Sequence, residues 1–442
     1  MDDPYAPRRP VPITLLPDGT IKQINLLSGT QVWTVPGRGQ RPLDVAPTPA
    51  KPIEPGTRDA LCAFCAECYE QTPPEKARVV REGEHWRTLR GVSPSELHAT
   101  TAEFRRIANL FEIVGYDYWR ANHGVQADAQ ALAHRDAYLS CPSGREHAFG
   151  IAWRRFQAAG GTQSEWDLLP EAERVALTTR FFAGGHDVIV ARRHLRDGAD
   201  TADALASSGS LQVEEHRHYL RFTIEAMADL YAKIPAARYV VAFQNWLKPA
   251  GASFDHLHKQ LVAIDEFGRQ IEAELPKAQA DPDLYNALAL DYAAREGLVL
   301  AENEHAVAFA GFGHRYPTLE VYSRSTHGRP WEASLPEQDA MSDLVHAMHA
   351  ATGPAIPCNE EWQHQPPSCS TPMPWRIQLK WRISTLAGFE GGSRIYLNTI
   401  SPGALRDQVL ANLMQLREQG RIAPKIALGA ECPVAQLRYS RG

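Results

Sequence analysis

The string Gly251-Ala-Ser253-Phe-Asp-His256-Leu-His258-Lys-Gln260 leads directly into the apolar run Leu261-Val-Ala-Ile264. On an extended chain successive side chains point to opposite faces. His256, His258 and Gln260 then share one face, and Leu257 and Lys259 take the other. Three polar groups on one side of a strand that continues as an apolar run are hard to explain as packing. The segment is therefore read as a strand with a working polar face. The histidine spacing alone carries little weight. The chain has 17 histidines, and His216-Arg-His218 repeats the spacing in what reads as the solvated start of a helix.

Regular patterns surround this string. Asp187-Val-Ile-Val-Ala191 and Tyr239-Val-Val-Ala-Phe243 are apolar runs of strand length. Between them, Leu220, Ile224, Met227, Leu230 and Tyr231 fall on one helical face. Further on, Ala306–Phe309, Leu319–Tyr322 and Arg376–Ile383 read as strands, and 335–352 and Asp407–Glu418 as helices. The order predicts an α+β chain with an internal duplication. Each half is expected to be an antiparallel sheet with a packed helix, over residues 1–270 and 271–442. The first 60 or so residues, rich in Pro and Gly and containing the strand-like Gln31–Val35, read as an arm or a set of edge strands.

Composition narrows the partners. At 442 residues the chain exceeds the ~100–200 typical of one domain. Its 44% hydrophobic and 22% charged content excludes a disordered or fibrous chain. Lys+Arg of 46 against Asp+Glu of 52, a net charge of -6, argues against nucleic acid. Small anionic ligands need only a local cluster of cations, and Arg192, Arg193, Arg196, Lys248 and Lys259 offer one. The blander reading of Arg192 and Arg193 is a solvated strand end. No run approaches the ~18 apolar residues of a membrane span, and the N-terminus has no secretory apolar core. The odd count of 7 cysteines fits a reducing cytoplasm with free or metal-bound thiols.

Cys62-Ala-Phe-Cys65, with Cys68 just beyond, has the spacing at which two thiolates grip one Zn²⁺. The alternative is a pair of buried thiols with no metal. A metal would need two more ligands, and since no second CxxC exists, histidines must supply them.

Taken together, these residues resemble galactose-1-phosphate uridylyltransferase, a branch of the histidine-triad superfamily of nucleotidyl transferases and hydrolases. The resemblance rests on Asn245, Gly251-Ala-Ser253 and His256-x-His258-x-Gln260. It extends to Asn25–Trp33 leading to Arg38-Gly-Gln-Arg41-Pro42, and to Cys62-x-x-Cys65 with Thr72-Pro-Pro-Glu75. Asn109-Leu-Phe111, His186–Val190 followed by His194, and Ala387-Gly-Phe-Glu390 also match in order. It covers most of the chain, with insertions near 80–105 and 115–180, the latter carrying Trp119, Trp153 and Trp166.

The resemblance implies a zinc set of Cys62, Cys65, His194 and His256 in the N-terminal half. His194 stands one residue nearer its strand than the family spacing, and His186 is the alternative for that ligand. It implies His258 as a nucleophile that forms a covalent nucleotidyl-histidine, with Gln260 on the phosphate oxygens. Ser253 and Asn245 would hold the diphosphate or leaving group, Arg38 and Arg41 phosphate or base, Asn109 the nucleoside and Glu390 the sugar. The implied activity is transfer of a nucleoside monophosphate from a nucleotide sugar to a sugar 1-phosphate or phosphate. The alternatives are a hydrolase or phosphorylase of dinucleoside polyphosphates or nucleotide sugars, and a zinc-stabilised binding protein without turnover. The family forms dimers whose C-terminal segments complete the neighbour's site, so a homodimer with Glu390 reaching across chains is implied. The C-terminal half lacks the HxH of the family. Its strand reads Arg376-Ile-Gln378-Leu-Lys380-Trp-Arg382, so no second metal is expected. Lys380 or Arg382 either meets an anionic substrate or lies on a solvated face.

Overall fold

The structure, a computed structural model, describes residues 11–37, 51–54 and 56–441. In chain order the strands are β1 (Ile13–Leu15), β2 (Ile21–Ile24), β3 (Gln31–Thr34), β4 (Glu75–Glu82), β5 (His85–Arg90), β6 (Ala102–Ala108), β7 (His186–Ala191) and β8 (Tyr239–Trp246). They continue with β9 (His258–Ile264), β10 (Val299–Glu302), β11 (Ala306–Ala310), β12 (Thr318–Ser323), β13 (Cys358–Gln363), β14 (Arg376–Trp381), β15 (Ile395–Leu397) and β16 (Ala427–Leu428). The chain forms two compact units. Among the described residues, one comprises 51–54, 56–245 and 252–266, and the other 11–37, 246–251 and 267–441.

In the first unit the strands run in the order β8-β9-β7-β6-β4-β5, and every adjacent pair is antiparallel. All six residues of β7 are buried, as its continuous apolar run requires of a strand covered on both faces. The helix Val213–Lys233 lies against β6, β7 and β9 through the expected face, with Leu220, Ile224, Met227 and Leu230 at 3% exposure or less. His216, read as solvated, is instead fully buried. Residues two apart on a helix diverge by about 200°, so His216 turns inward while His218 stacks on Trp86 with ring centroids 4.2 Å apart. The 115–180 insertion is helical, from Tyr116–His123 to Glu171–Ala183. Its own core holds Tyr138, Ile151, Trp166 and Phe182, with Trp153 packed against it.

In the second unit the strands run β16-β10-β11-β12-β14-β13, again antiparallel. The helix Leu335–Thr352 covers β11, β12 and β14, and Pro402–Glu418 packs on that helix. A separate sheet has the order β1-β2-β3-β15. The α+β class and the antiparallel sheets with packed helices are therefore as expected. The assignment of the N-terminal arm to a 1–270 half is corrected. β3 has a free edge once β2 is paired, and that edge is filled in parallel by β15, with Val32 opposite Tyr396 and fully buried. No helix among the described residues is long and apolar enough to cross a membrane.

Candidate active site

Cys62, Cys65, His194 and His256 bring their ligand atoms within 4.8 Å of one another. The thiol sulfurs lie 3.8 Å apart. Cys62 Sγ is 3.4 Å from His194 Nδ1 and 3.5 Å from His256 Nδ1, and Cys65 Sγ is 3.5 and 3.8 Å from the same atoms. A tetrahedral zinc with Zn–S near 2.3 Å and Zn–N near 2.0 Å requires S···S edges of about 3.8 Å and S···N edges of about 3.5 Å. The donor set therefore fits a tetrahedral ion on geometry as well as on chemistry. Cys68 is buried and stands outside it.

The neighbours of the set fix its orientation. His256 Nε2–H donates to the Ala191 carbonyl at 2.7 Å, which leaves Nδ1 as the ligand atom, the usual arrangement around a metal-bound imidazole. The hydrogen bond from Cys62, the largest influence, holds the Cys65 thiol well below the ordinary thiol range. The same hydrogen bond with Cys65, with burial, pushes Cys62 up. A bound cation would displace the thiol protons and hold both sulfurs as thiolates. The knuckle segment is anchored from below. Glu75 pairs with Arg78 at 2.6 Å and with Arg105, and Arg105 lies 3.7 Å over the Tyr69 ring.

β9 begins at His258, and His256 sits in the bend before it. Phe64, inside the CxxC, packs edge-on against both rings, with centroids 5.9 Å from His256 and 5.2 Å from His258. His258 is 5% exposed and its Nδ1–H donates to the His256 carbonyl at 2.7 Å. Burial pushes its pKa down to about 4, against the opposing effect of that hydrogen bond, so the ring is neutral near pH 7.

Two residues on, Gln260 Oε1 lies 3.0 Å from His186 Nε2 and 3.2 Å from Asn109 Nδ2. The Ile113 backbone N–H donates to His186 Nδ1 at 3.1 Å, so the His186 proton sits on Nε2 and is given to Gln260. With Oε1 occupied by two donors, the Gln260 amide N–H groups are the ones left to meet a ligand. His186 is therefore not the alternative metal ligand. It orients Gln260, a role that spacing along the chain does not reveal. The signal is in the register, because Val262 faces His186 and Val188 faces Gln260 across β7 and β9, which makes His186 and Gln260 diagonal neighbours.

The remaining expected residues are distributed as follows. Asn245 is half-buried on β8, whose register sets Phe243 opposite Gln260 and carries Asn245 toward the His258 end of β9. Ser253 is exposed in the loop before the bend. Glu390 belongs to the other unit, where its carboxylate accepts from the Ala387 N–H at 3.1 Å. Arg38 and Arg41 lie outside the described residues. The expected cationic field is largely neutralised: Arg192 pairs with Glu103 at 2.9 Å, and Arg193 pairs with Glu215 and with Asp197 at 2.8 Å. Lys259 is buried, 4.9 Å over the Tyr219 ring.

Two solved structures share this fold. One is an ADP-glucose phosphorylase from Arabidopsis thaliana with bound ADP-glucose, 15% identical, covering 88% of this chain and 98% of that one at a TM-score of 0.54. The other is a GalT-like protein from Arabidopsis thaliana, 16% identical, with the same coverages at a TM-score of 0.53. No curated protein matches the chain. The family model of a domain of unknown function, DUF4921, matches residues 16–439. On that match, the chain belongs to the DUF4921 family.

Proposed function

We propose that the chain is a nucleotidyltransferase that moves a nucleoside monophosphate from a nucleotide sugar to a sugar 1-phosphate or to inorganic phosphate. The observation that carries this reading is the tautomer of His258. With Nδ1–H given to the His256 carbonyl, Nε2 holds the lone pair, and a neutral imidazole is a competent nucleophile without a separate base. In the first step Nε2 attacks the α-phosphorus of the donor. The P–N bond forms as the P–O bond to the departing phosphate breaks, and sugar 1-phosphate leaves with that electron pair. The His256 carbonyl stabilises the imidazolium that results. In the second step an oxygen of the acceptor phosphate attacks the same phosphorus, and the P–N electrons return to Nε2. In-line transfer of this kind depends on positioning and charge stabilisation. Gln260 supplies amide donors to the phosphate oxygens. Asn245 and Ser253 take the leaving group, Asn109 the nucleoside, Arg38 and Arg41 phosphate or base, and Glu390 the sugar.

Cys62, Cys65, His194 and His256 would hold zinc, whose four protein donors close its coordination and give it a structural role. The two sheet-and-helix units are read as diverged histidine-triad halves, and the protein as a cytoplasmic homodimer. The fold relative with bound ADP-glucose supports a nucleotide sugar as donor and makes phosphate a natural acceptor. The test is product analysis after incubating the zinc-loaded protein with UDP-glucose, ADP-glucose or diadenosine tetraphosphate, each with and without galactose 1-phosphate or phosphate. Turnover that needs an acceptor supports transfer. Release of nucleotide without one makes the chain a hydrolase, and no release under any condition makes it a zinc-stabilised binder.

A further inference from the structure

Arginines of the second unit are commonly matched by carboxylates. Arg376 meets Glu274 at 2.6 Å, Arg324 meets Glu302 at 2.8 Å, and Arg329 meets Glu332 at 2.8 Å. Arg315 and Arg382 break the pattern. Their guanidinium carbons lie 5.2 and 4.7 Å from the centroid of one ring, that of Tyr316, and Arg315 also stands 5.4 Å from the Tyr396 ring. Neither has a carboxylate within ion-pair distance among the described residues. Arg382 gives one N–H to Asn359 Oδ1 at 2.7 Å, while its buried Nε–H has no acceptor.

The backbone brings the two together. β12 and β14 pair with Thr318 opposite Lys380, and Trp381 N–H donates to the Pro317 carbonyl at 2.9 Å. Arg315, just before β12, and Arg382, just after β14, are therefore at the same end of the strand pair. They open on a cavity of about 490 Å³, whose lining adds the hydroxyl-bearing Tyr316, Ser384 and Thr385 and contains no acidic residue.

Two cations held beside one buried ring repel each other, and a buried charged N–H without an acceptor is costly. A bound dianion relieves both. Guanidinium forks match phosphate oxygens bidentately, hydroxyls add neutral donors, and the volume lies within the range of small-molecule sites. We propose that the cavity of Arg315, Arg382 and Tyr316 is a phosphomonoester site, an inference that does not rest on the function proposed above.

The test is titration calorimetry of the zinc-loaded His258→Ala protein, which cannot form the covalent adduct. The probes are inorganic phosphate, glucose 1-phosphate and AMP, with glucose as the uncharged control. Binding of at least one phosphate probe is expected. It should weaken about tenfold or more in Arg382→Gln and severalfold in Arg315→Ala, because each removes a guanidinium fork, and Arg315→Lys, which keeps the charge but not the fork, should restore only part of it. Tightest binding of phosphate, sugar phosphate or nucleotide identifies which source of the phosphate group the site prefers. Absence of binding by all three, or binding indifferent to both arginine substitutions, overturns the proposal. If Arg382→Gln fails to fold, the exposed Arg315 decides the question alone.

Discussion

β9 and β14 both place polar side chains at alternate positions, and they differ in what those side chains meet. On β14 every polar residue faces an acid. Arg376 is gripped by both oxygens of Glu274 at 2.6 Å, Gln378 donates to Glu320 at 3.1 Å, and Lys380 meets Glu361 at 2.6 Å. Lys380, read as either a substrate contact or a solvated residue, is partly exposed and paired with Glu361. At β9 no carboxylate faces the histidines or Gln260 in the contacts of the site. His256 and His258 are each tied by one nitrogen to a backbone carbonyl, and Gln260 by its oxygen to His186 and Asn109. Each tie uses one end of the side chain and leaves the other end for a metal or a ligand. A closed polar strand contributes stability and specificity, whereas a half-tied one keeps reactive atoms oriented.

Substitutions can break that contrast. His258→Ala is expected to lower nucleotidyl transfer by about 10³-fold or more, with zinc content and melting temperature unchanged. Activity near that of the parent would remove the nucleophile from β9. On the closed strand, Glu274→Ala leaves Arg376 buried without its partner and should cost about 3–5 kcal/mol in denaturant unfolding, while the turnover of folded molecules stays the same.

Acid titration sharpens the contrast. Burial raises the Glu320 carboxyl, but the His314 ring at 2.7 Å, Arg376 and the Gln378 hydrogen bond outweigh it and hold the pKa at about 2. A depressed carboxylate stabilises the fold above its unfolded value of 4.5. That contribution, roughly 3 kcal/mol, should be lost as pH falls from 4.5 toward 2. In Glu320→Gln the acid dependence of unfolding over that window should flatten. The smallest effect is expected at His186. His186→Ala frees the Gln260 amide to rotate and should reduce turnover by up to about 10²-fold. Zinc, measured by elemental analysis, should stay bound, whereas His194→Ala should lose it.

What the sequence made legible was local. The CxxC, the HxHxQ string, the apolar run of β7 and the helix before β8 each lie within a few residues, and backbone periodicity alone predicts their faces. His194 needed the longer pattern, and its place beside the cysteines depends on the loop after β7. The role of His186 depends on the β7–β9 register, that of Phe64 on the fold of the knuckle, and the pairing of β3 with β15 on a contact spanning most of the chain. No periodicity within one segment encodes such contacts. The split between Lys380, which is paired, and Arg382, which is not, is likewise decided by Glu361 on β13.

The most direct test of the account is the intact mass of the zinc-loaded protein after brief incubation with a panel of nucleotide sugars. The quench must be alkaline, because a phosphorus–nitrogen bond to histidine is acid-labile. A covalent nucleotidyl-His258 predicts the added mass of one nucleoside monophosphate, absent from His258→Ala, with the mass naming the base. An adduct that persists in His258→Ala, or none with any donor from protein that turns those donors over, would contradict it.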